Sequence, residues 1–355
     1  MNKEILKLNN NNQAVWIDSI SRQMIKTGKI NSIVEDGISG ITSNPSIFQK
    51  ALSNEDSYDE DIKILTQSGI NDPKKIFHKL SIKDISDACK ILLPIYEKKD
   101  KNDGFVSIEI DPKFSKDTEK SIKEGIYLHE SINQPNVMIK VPGTNEGIPV
   151  IEKLISLGIN VNVTLLFSRE MYRKSANAYI EGLKKINTEK INIEDINSVA
   201  SFFISRIDTE VDKVIDDKYK GKVAIWNAIK AYEDYENIFS NDNFRDLFNR
   251  GGNAQKLLWA STSVKNPNYK KLLYVENLVA PMTVNTVPED VYKEIINGEI
   301  DYSSFKNLNS NNSSESEIIG TDQLNKITDD LLEVGIKLFE DAFDALIQEI
   351  KNKIS

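Results

Sequence analysis

In the run NVMIKVP (136–142), strand alternation sets Val137, Ile139 and Val141 on one face and Met138 with Lys140 on the other. A lysine thus stands inside an apolar strand. The run FVSIEID (105–111) repeats the arrangement, with Val106, Ile108 and Ile110 opposed to Phe105, Ser107 and Glu109. The same parity groups Trp16 with Asp18, Asn162 with Thr164, and Ser201 with Phe203. Burying a lone charge is costly, so ionisable groups within strands are expected to be paired, functional or both. Apolar surroundings disfavour an ammonium and free the amine to attack a carbonyl. Carboxylates such as Asp18 and Glu109 then move protons during carbinolamine dehydration and carbon–carbon cleavage, and neutral amides and hydroxyls orient a polyhydroxylated chain. A purely structural ion-pair layer of Asp18, Glu109 and Lys140 is the competing reading of the same residues.

The elements that position these groups recur along the chain. Short β-type runs fall at 14–20, 39–45, 105–111, 136–142, 159–167, 198–207, 256–262 and 282–288. Between them, 116–132, 146–157, 169–185, 206–219 and 222–238 carry apolar residues at helical spacing among charges. Eight βα units predict an α/β fold, a single (β/α)8 barrel spanning residues 1–355. Its C-terminal mouth is where the polar strand-end residues converge. Residues 46–104, after the second strand, are too long for one crossover helix and read as a helical insertion, with helix starts at Asp72-Pro73 and Ser81. The polar stretch NLNSNNSSES (307–316) reads as a connector to a terminal helical segment, 317–355. That segment carries Leu324, Ile327, Leu331, Leu338, Phe339, Phe343, Leu346 and Ile350 as an apolar stripe expected to pack on the barrel.

Composition removes several classes of function. A net charge of −9 repels nucleic acid and anionic membranes, so a phosphorylated substrate has to be met by a local basic pocket. Cys89 is the sole cysteine, which excludes an intrachain disulfide and points to the cytoplasm. The start MNKEILKLNNNNQ lacks the apolar core of a signal peptide, and no apolar run approaches the roughly 18 residues of a membrane span. A zinc-dependent aldolase needs several histidines, whereas only His78 and His129 exist, each in a predicted helix. No GxGxxG or Walker sequence follows a strand. The expectation is a soluble enzyme without metal or cofactor; a homo-oligomer is compatible with it.

The motifs VWIDSISR, GITSNPSIF, VSIEIDP, MIKVPGT, VNVTLLFS, ASFFISRID, WASTSVKNP and TVNTVP, in this order from about 13 to 305, resemble those of the transaldolase family, particularly its longer bacterial form. The resemblance implies that Lys140 is the Schiff-base lysine. It implies that Glu109 acts through a water on the carbinolamine and that Asp18 is the acid/base for the hydroxyl released on cleavage. Asn44, Asn162, Thr164 and Ser201 would hold the substrate hydroxyls and the catalytic water, with Arg206 and Ser261 at the phosphate. Where many members of the family carry a second arginine, this chain has Ser263. Lys265 is then either a substitute cation or a solvated loop lysine. The implied reaction is transfer of a dihydroxyacetone unit from sedoheptulose 7-phosphate to glyceraldehyde 3-phosphate, giving erythrose 4-phosphate and fructose 6-phosphate, in the pentose phosphate pathway. A fructose 6-phosphate aldolase-like lyase is the nearest alternative. A catalytically silent binding barrel is a more distant one.

Overall fold

A computed structural model describes residues 1–240, 242–301 and 318–354. Eight strands, β1 (Gln13–Ile17), β2 (Gly40–Ile41), β3 (Val106–Glu109), β4 (Val137–Pro142), β5 (Val161–Leu166), β6 (Ser198–Phe203), β7 (Lys256–Ala260) and β8 (Thr283–Val287), pair in parallel and in chain order to close a barrel. The expected (β/α)8 architecture is therefore present.

Several boundaries differ from expectation for local reasons. β2 keeps only two residues of the predicted run, because Asn44-Pro45 opens a helix, Pro45–Asn54. The Asn44 side-chain oxygen accepts from the Ile47 amide at 3.0 Å, and Pro45 fills the first turn, where a missing N–H is harmless. β6 stops at Phe203, since Ser205–Val211 is already helical. The stretch 206–219 is not one helix; a 3-10 turn, Asp217–Tyr219, follows separately.

Inward parity is settled by contacts across the barrel. Asn162 on β5 donates to Ser107 on β3 at 3.0 Å, and because β4 lies between these strands only an interior path connects them. Glu109, Lys140 and Asn162 are in register on adjacent strands. Lower in the barrel the Trp16 indole donates to Asp103 at 2.9 Å and lies against Gly40, where an added Cβ would come within 2.4 Å of the ring. Gly40 is required by that close approach.

Three helices occupy the stretch between β2 and β3: Pro45–Asn54, Asp59–Gln67 and Pro73–Lys98. Asp72 caps the longest, accepting from the Lys75 amide at 3.0 Å. Ser81 starts no helix; it is buried inside this one, its hydroxyl donating to the His78 carbonyl. Buried Arg22 pairs with Asp84 and Asp61 and ties these helices to the barrel. The connector 307–316 lies outside the described residues.

The terminal helix, Thr321–Ile354, packs along Pro45–Asn54 and Pro73–Lys98 and reaches β5. Leu324, Leu331, Phe339, Phe343, Leu346 and Ile350 are buried and Ile327 partly so. Leu338 departs from the expected stripe and is 46 % exposed. Neighbouring helical residues point about 100° apart, so Phe339 and Leu338 cannot share the inward face. Among the described residues no helix is long and apolar enough to cross a membrane.

Candidate active site

Lys140 rises from the centre of β4 into the barrel with only 4 % of its surface exposed. Its Nζ donates to the Ser43 carbonyl at 2.8 Å and lies 3.4 Å from Glu109 Oε2. Neighbouring parallel strands in register place this lysine and carboxylate side by side, so their meeting follows from the ladder. Beyond the Lys140 ammonium, neither Glu109 oxygen has a hydrogen-bond partner among the described residues, and the same holds for Thr164 Oγ1. Burial raises the Glu109 carboxyl to a pKa of about 7; Lys140 opposes the shift and the Asp18 charge adds to it. Asp18, just past β1, is also raised by burial, with Lys140 and a hydrogen bond from Thr42 acting against the shift.

Lys140, Asp18, Thr164, Ser201, Arg206, Ser261, Lys265 and Asn44 all line one cavity of about 320 Å³ at the C-terminal mouth. Asn44 caps its helix through Oδ1 and lines the cavity, so its amide NH2 remains available as a donor. Asn162 is placed differently. It is fully buried beneath the floor, accepting from Ser201 Oγ at 2.7 Å and donating to Ser107. The amide thus orients Ser201. Glu109 faces the lysine and a second, inner recess shared with Ser43, Asn44, His78 and Glu124.

The outer wall is cationic. Arg206 follows β6, its guanidinium 6.0 Å from the Phe203 ring, and burial lowers its pKa. Desolvation lowers that of Lys265, helped by the Arg206 and Lys50 charges. Among the described residues no carboxylate pairs with Arg206, Lys265 or Lys50, although all three line the cavity. Unpaired cations converging on a concave surface suit a phosphate. Ser261 lines the same cavity in a left-handed conformation, φ 55°, its hydroxyl 2.9 Å from that of Ser205. A serine held in this sparsely populated region is a form of strain that clusters at functional sites.

Lys50 was not identified from the sequence, because its position on a helix of the insertion carries no strand-end signal. Thr42 and Thr286 were also missed. Thr42 donates to Asp18 at 2.6 Å and its oxygen lies 2.7 Å from that of Thr286. Since the single Thr42 proton goes to the carboxylate, Thr286 is the donor to Thr42, and the chain of hydroxyls ends on Asp18. Both threonines sit in the quoted motifs GITSNPSIF and TVNTVP, where parity with Asp18 was the available signal. Phe339 reaches the same cavity from the terminal helix.

Comparison with known proteins finds relatives along nearly the whole chain. The family described as Transaldolase/Fructose-6-phosphate aldolase matches residues 15–350, which takes in the terminal helix beyond the motif-bearing part. A protein named Transaldolase from Trichodesmium erythraeum is 40 % identical, covering 99 % of this chain and 97 % of its own length. Proteins of the same name from Saccharopolyspora erythraea and Mycobacterium tuberculosis are 37 % and 38 % identical, over 99 % and 95 % of this chain and 98 % and 94 % of their own lengths. With a buried lysine beside a carboxylate at the mouth of an eight-stranded barrel, and similarity running nearly end to end, the chain belongs to the transaldolase/fructose-6-phosphate aldolase family.

Proposed function

We propose that this chain transfers a dihydroxyacetone unit from sedoheptulose 7-phosphate to glyceraldehyde 3-phosphate through a Schiff base on Lys140, giving erythrose 4-phosphate and fructose 6-phosphate. The observation that carries the reading is the placement of Lys140 Nζ, buried beside Glu109, in a cavity whose outer wall holds Arg206, Lys265 and Lys50. In this reading the Lys140 amine adds to the substrate ketone, and Glu109 supplies through a water the proton that leaves with the carbinolamine hydroxyl. The resulting iminium is the electron sink. Asp18 takes the proton from the hydroxyl beyond the scissile bond as that bond breaks and the aldose departs. The enamine left on Lys140 then attacks the acceptor aldehyde, Asp18 returns its proton to the new hydroxyl, and hydrolysis of the imine frees the lysine. Thr164 and Ser201 hold hydroxyls and the water, and the Asn44 amide donates to the sugar chain. Arg206, Ser261 and the two lysines take the phosphate. We infer a cytoplasmic location, which the presence of Cys89 as the sole cysteine supports.

Borohydride reduction in the presence of fructose 6-phosphate tests this reading directly. One dihydroxyacetone-derived unit per chain is expected, on the peptide containing Lys140, with activity lost in proportion. Lys140→Met should fold, bind phosphate and neither label nor turn over. A label on another lysine overturns the assignment.

A further inference from the structure

The terminal helix brings an aromatic ring to the reacting lysine. The centroid of the Phe339 ring lies 6.0 Å from Lys140 Nζ, and Phe339 lines the same cavity while only 6 % exposed. Three features hold it there. Gly335, one turn earlier, sits against Leu165, where an added Cβ would meet the Leu165 side chain at 3.0 Å. Leu165 itself has φ 59° at a register shift of β5 immediately after Thr164, a distortion that turns its side chain toward the helix. One turn later Phe343 meets Phe77 edge-on, with ring centroids 5.6 Å apart. Residues 335, 339 and 343 therefore form a single face at helical spacing, docked at both ends with the ring between them.

Once the aldose has left, the enamine on Lys140 has two fates. It can add to an acceptor aldehyde, forming a carbon–carbon bond. Alternatively it is protonated on carbon, water adds to the iminium carbon, and the carbinolamine collapses to dihydroxyacetone and free amine. Both routes end with a water on the imine carbon, so they part earlier, at the nucleophilic enamine carbon, which either bonds to the aldehyde or takes a proton delivered by water. We propose that Phe339 is a specificity-determining residue of the catalytic cavity, an apolar cover that keeps proton-delivering water from the enamine on Lys140 and directs the bound three-carbon unit to an acceptor. This rests on the Schiff-base reading above.

The test compares Phe339→Ala and Phe339→Leu with the unaltered protein, measuring dihydroxyacetone released from fructose 6-phosphate without an acceptor against transfer to an acceptor aldehyde. Phe339→Ala should raise the ratio of release to transfer about tenfold, equivalent to some 1.4 kcal/mol between the two barriers. Phe339→Leu, which keeps apolar bulk, should restore most of the original ratio, and KM for the phosphorylated donor should stay unchanged in both. Lys116→Ala, which removes an exposed ion pair between the barrel and Glu333 of the same helix, should leave the ratio alone. Release and transfer falling together in Phe339→Ala, or an equal shift in Lys116→Ala, would overturn the proposal by assigning the effect to helix docking. If Phe339→Ala does not fold, an unchanged ratio in Phe339→Leu supports the cover only when Phe339→Ser, assayed likewise, raises it; an unchanged ratio in both overturns it. Absence of borohydride labelling on Lys140 in the unaltered protein overturns the Schiff-base reading itself, a result separate from any ratio.

Discussion

Glu109 Oε2 lies 3.4 Å from Lys140 Nζ, both side chains are almost fully buried, and the carboxyl is raised from 4.5 to about 7. Burial penalises the carboxylate more than the adjacent ammonium stabilises it. A group poised near neutrality both gives and accepts a proton readily, which is what carbinolamine formation and hydrolysis demand in turn.

The raised value has a consequence for stability. Because the folded-state pKa exceeds the unfolded one, the protonated form is favoured by folding: this contribution is complete below 4.5 and is lost as pH rises through 7. Glu109→Gln mimics the protonated form. It should therefore stabilise the protein at pH values above 7, by an amount on the order of 2 kcal/mol, with the gain shrinking toward pH 5. Thermal melts across that range check the sign, and a variant less stable at high pH would show that the ion pair with Lys140 dominates. The same variant should form the borohydride-trapped imine more slowly.

Asp18 and Thr42 act as a unit through their 2.6 Å hydrogen bond. Asp18→Asn should impair carbon–carbon cleavage while leaving imine trapping largely intact. Thr42→Val removes a donor that lowers the Asp18 pKa, so the acid limb of the kcat profile should move to higher pH. Equal trapping defects in Asp18→Asn and Glu109→Gln would contradict the division of labour between the two carboxylates.

Three cations on one wall predict graded losses. Arg206→Ala should raise KM for phosphorylated substrates by about 10- to 100-fold, the range of a charge-assisted contact, with little effect on unphosphorylated donors. Lys265→Ala and Lys50→Ala should each give a smaller increase, because a lysine binds as a point charge without a planar fork. Kinetics unchanged in Lys265→Ala would return that residue to solvent and leave Lys50 as the partner of Arg206.

Gly40→Ala places a methyl group 2.4 Å from the Trp16 indole, too close for either to keep its position. The expected loss is roughly 1–3 kcal/mol, read as a lower midpoint in urea. Wild-type stability would mean that Trp16 has an alternative rotamer inside the barrel.

Much of the fold is legible because strand alternation and helical spacing are local properties. Lys140, Glu109 and Asp18 stand out as charges in apolar runs, and the eight runs became eight strands. Boundaries were less legible where a cap intervenes: Asn44-Pro45 ends β2 early, and Ser81 looks like a cap yet lies within a helix started by Asp72. Lys50 and Phe339 could not be singled out. Both sit on amphipathic helices, where a lysine usually means a solvated face and a phenylalanine a packed one.

The sequence by itself determined the barrel, the lysine and its carboxylates, since inward parity and register on neighbouring parallel strands bring Glu109 beside Lys140 once the order of strands is given. Only the tertiary structure decided what surrounds them. Closure of the barrel joined Ser107 on β3, Asn162 on β5 and Ser201 on β6 into one interior chain of hydrogen bonds. The docking of two helices distant in sequence then set Lys50 on the wall of the cavity and the Phe339 ring beside Lys140. Those placements depend on how helix faces meet across the mouth, a non-local relation for which neither alternation nor spacing along the chain leaves a signal.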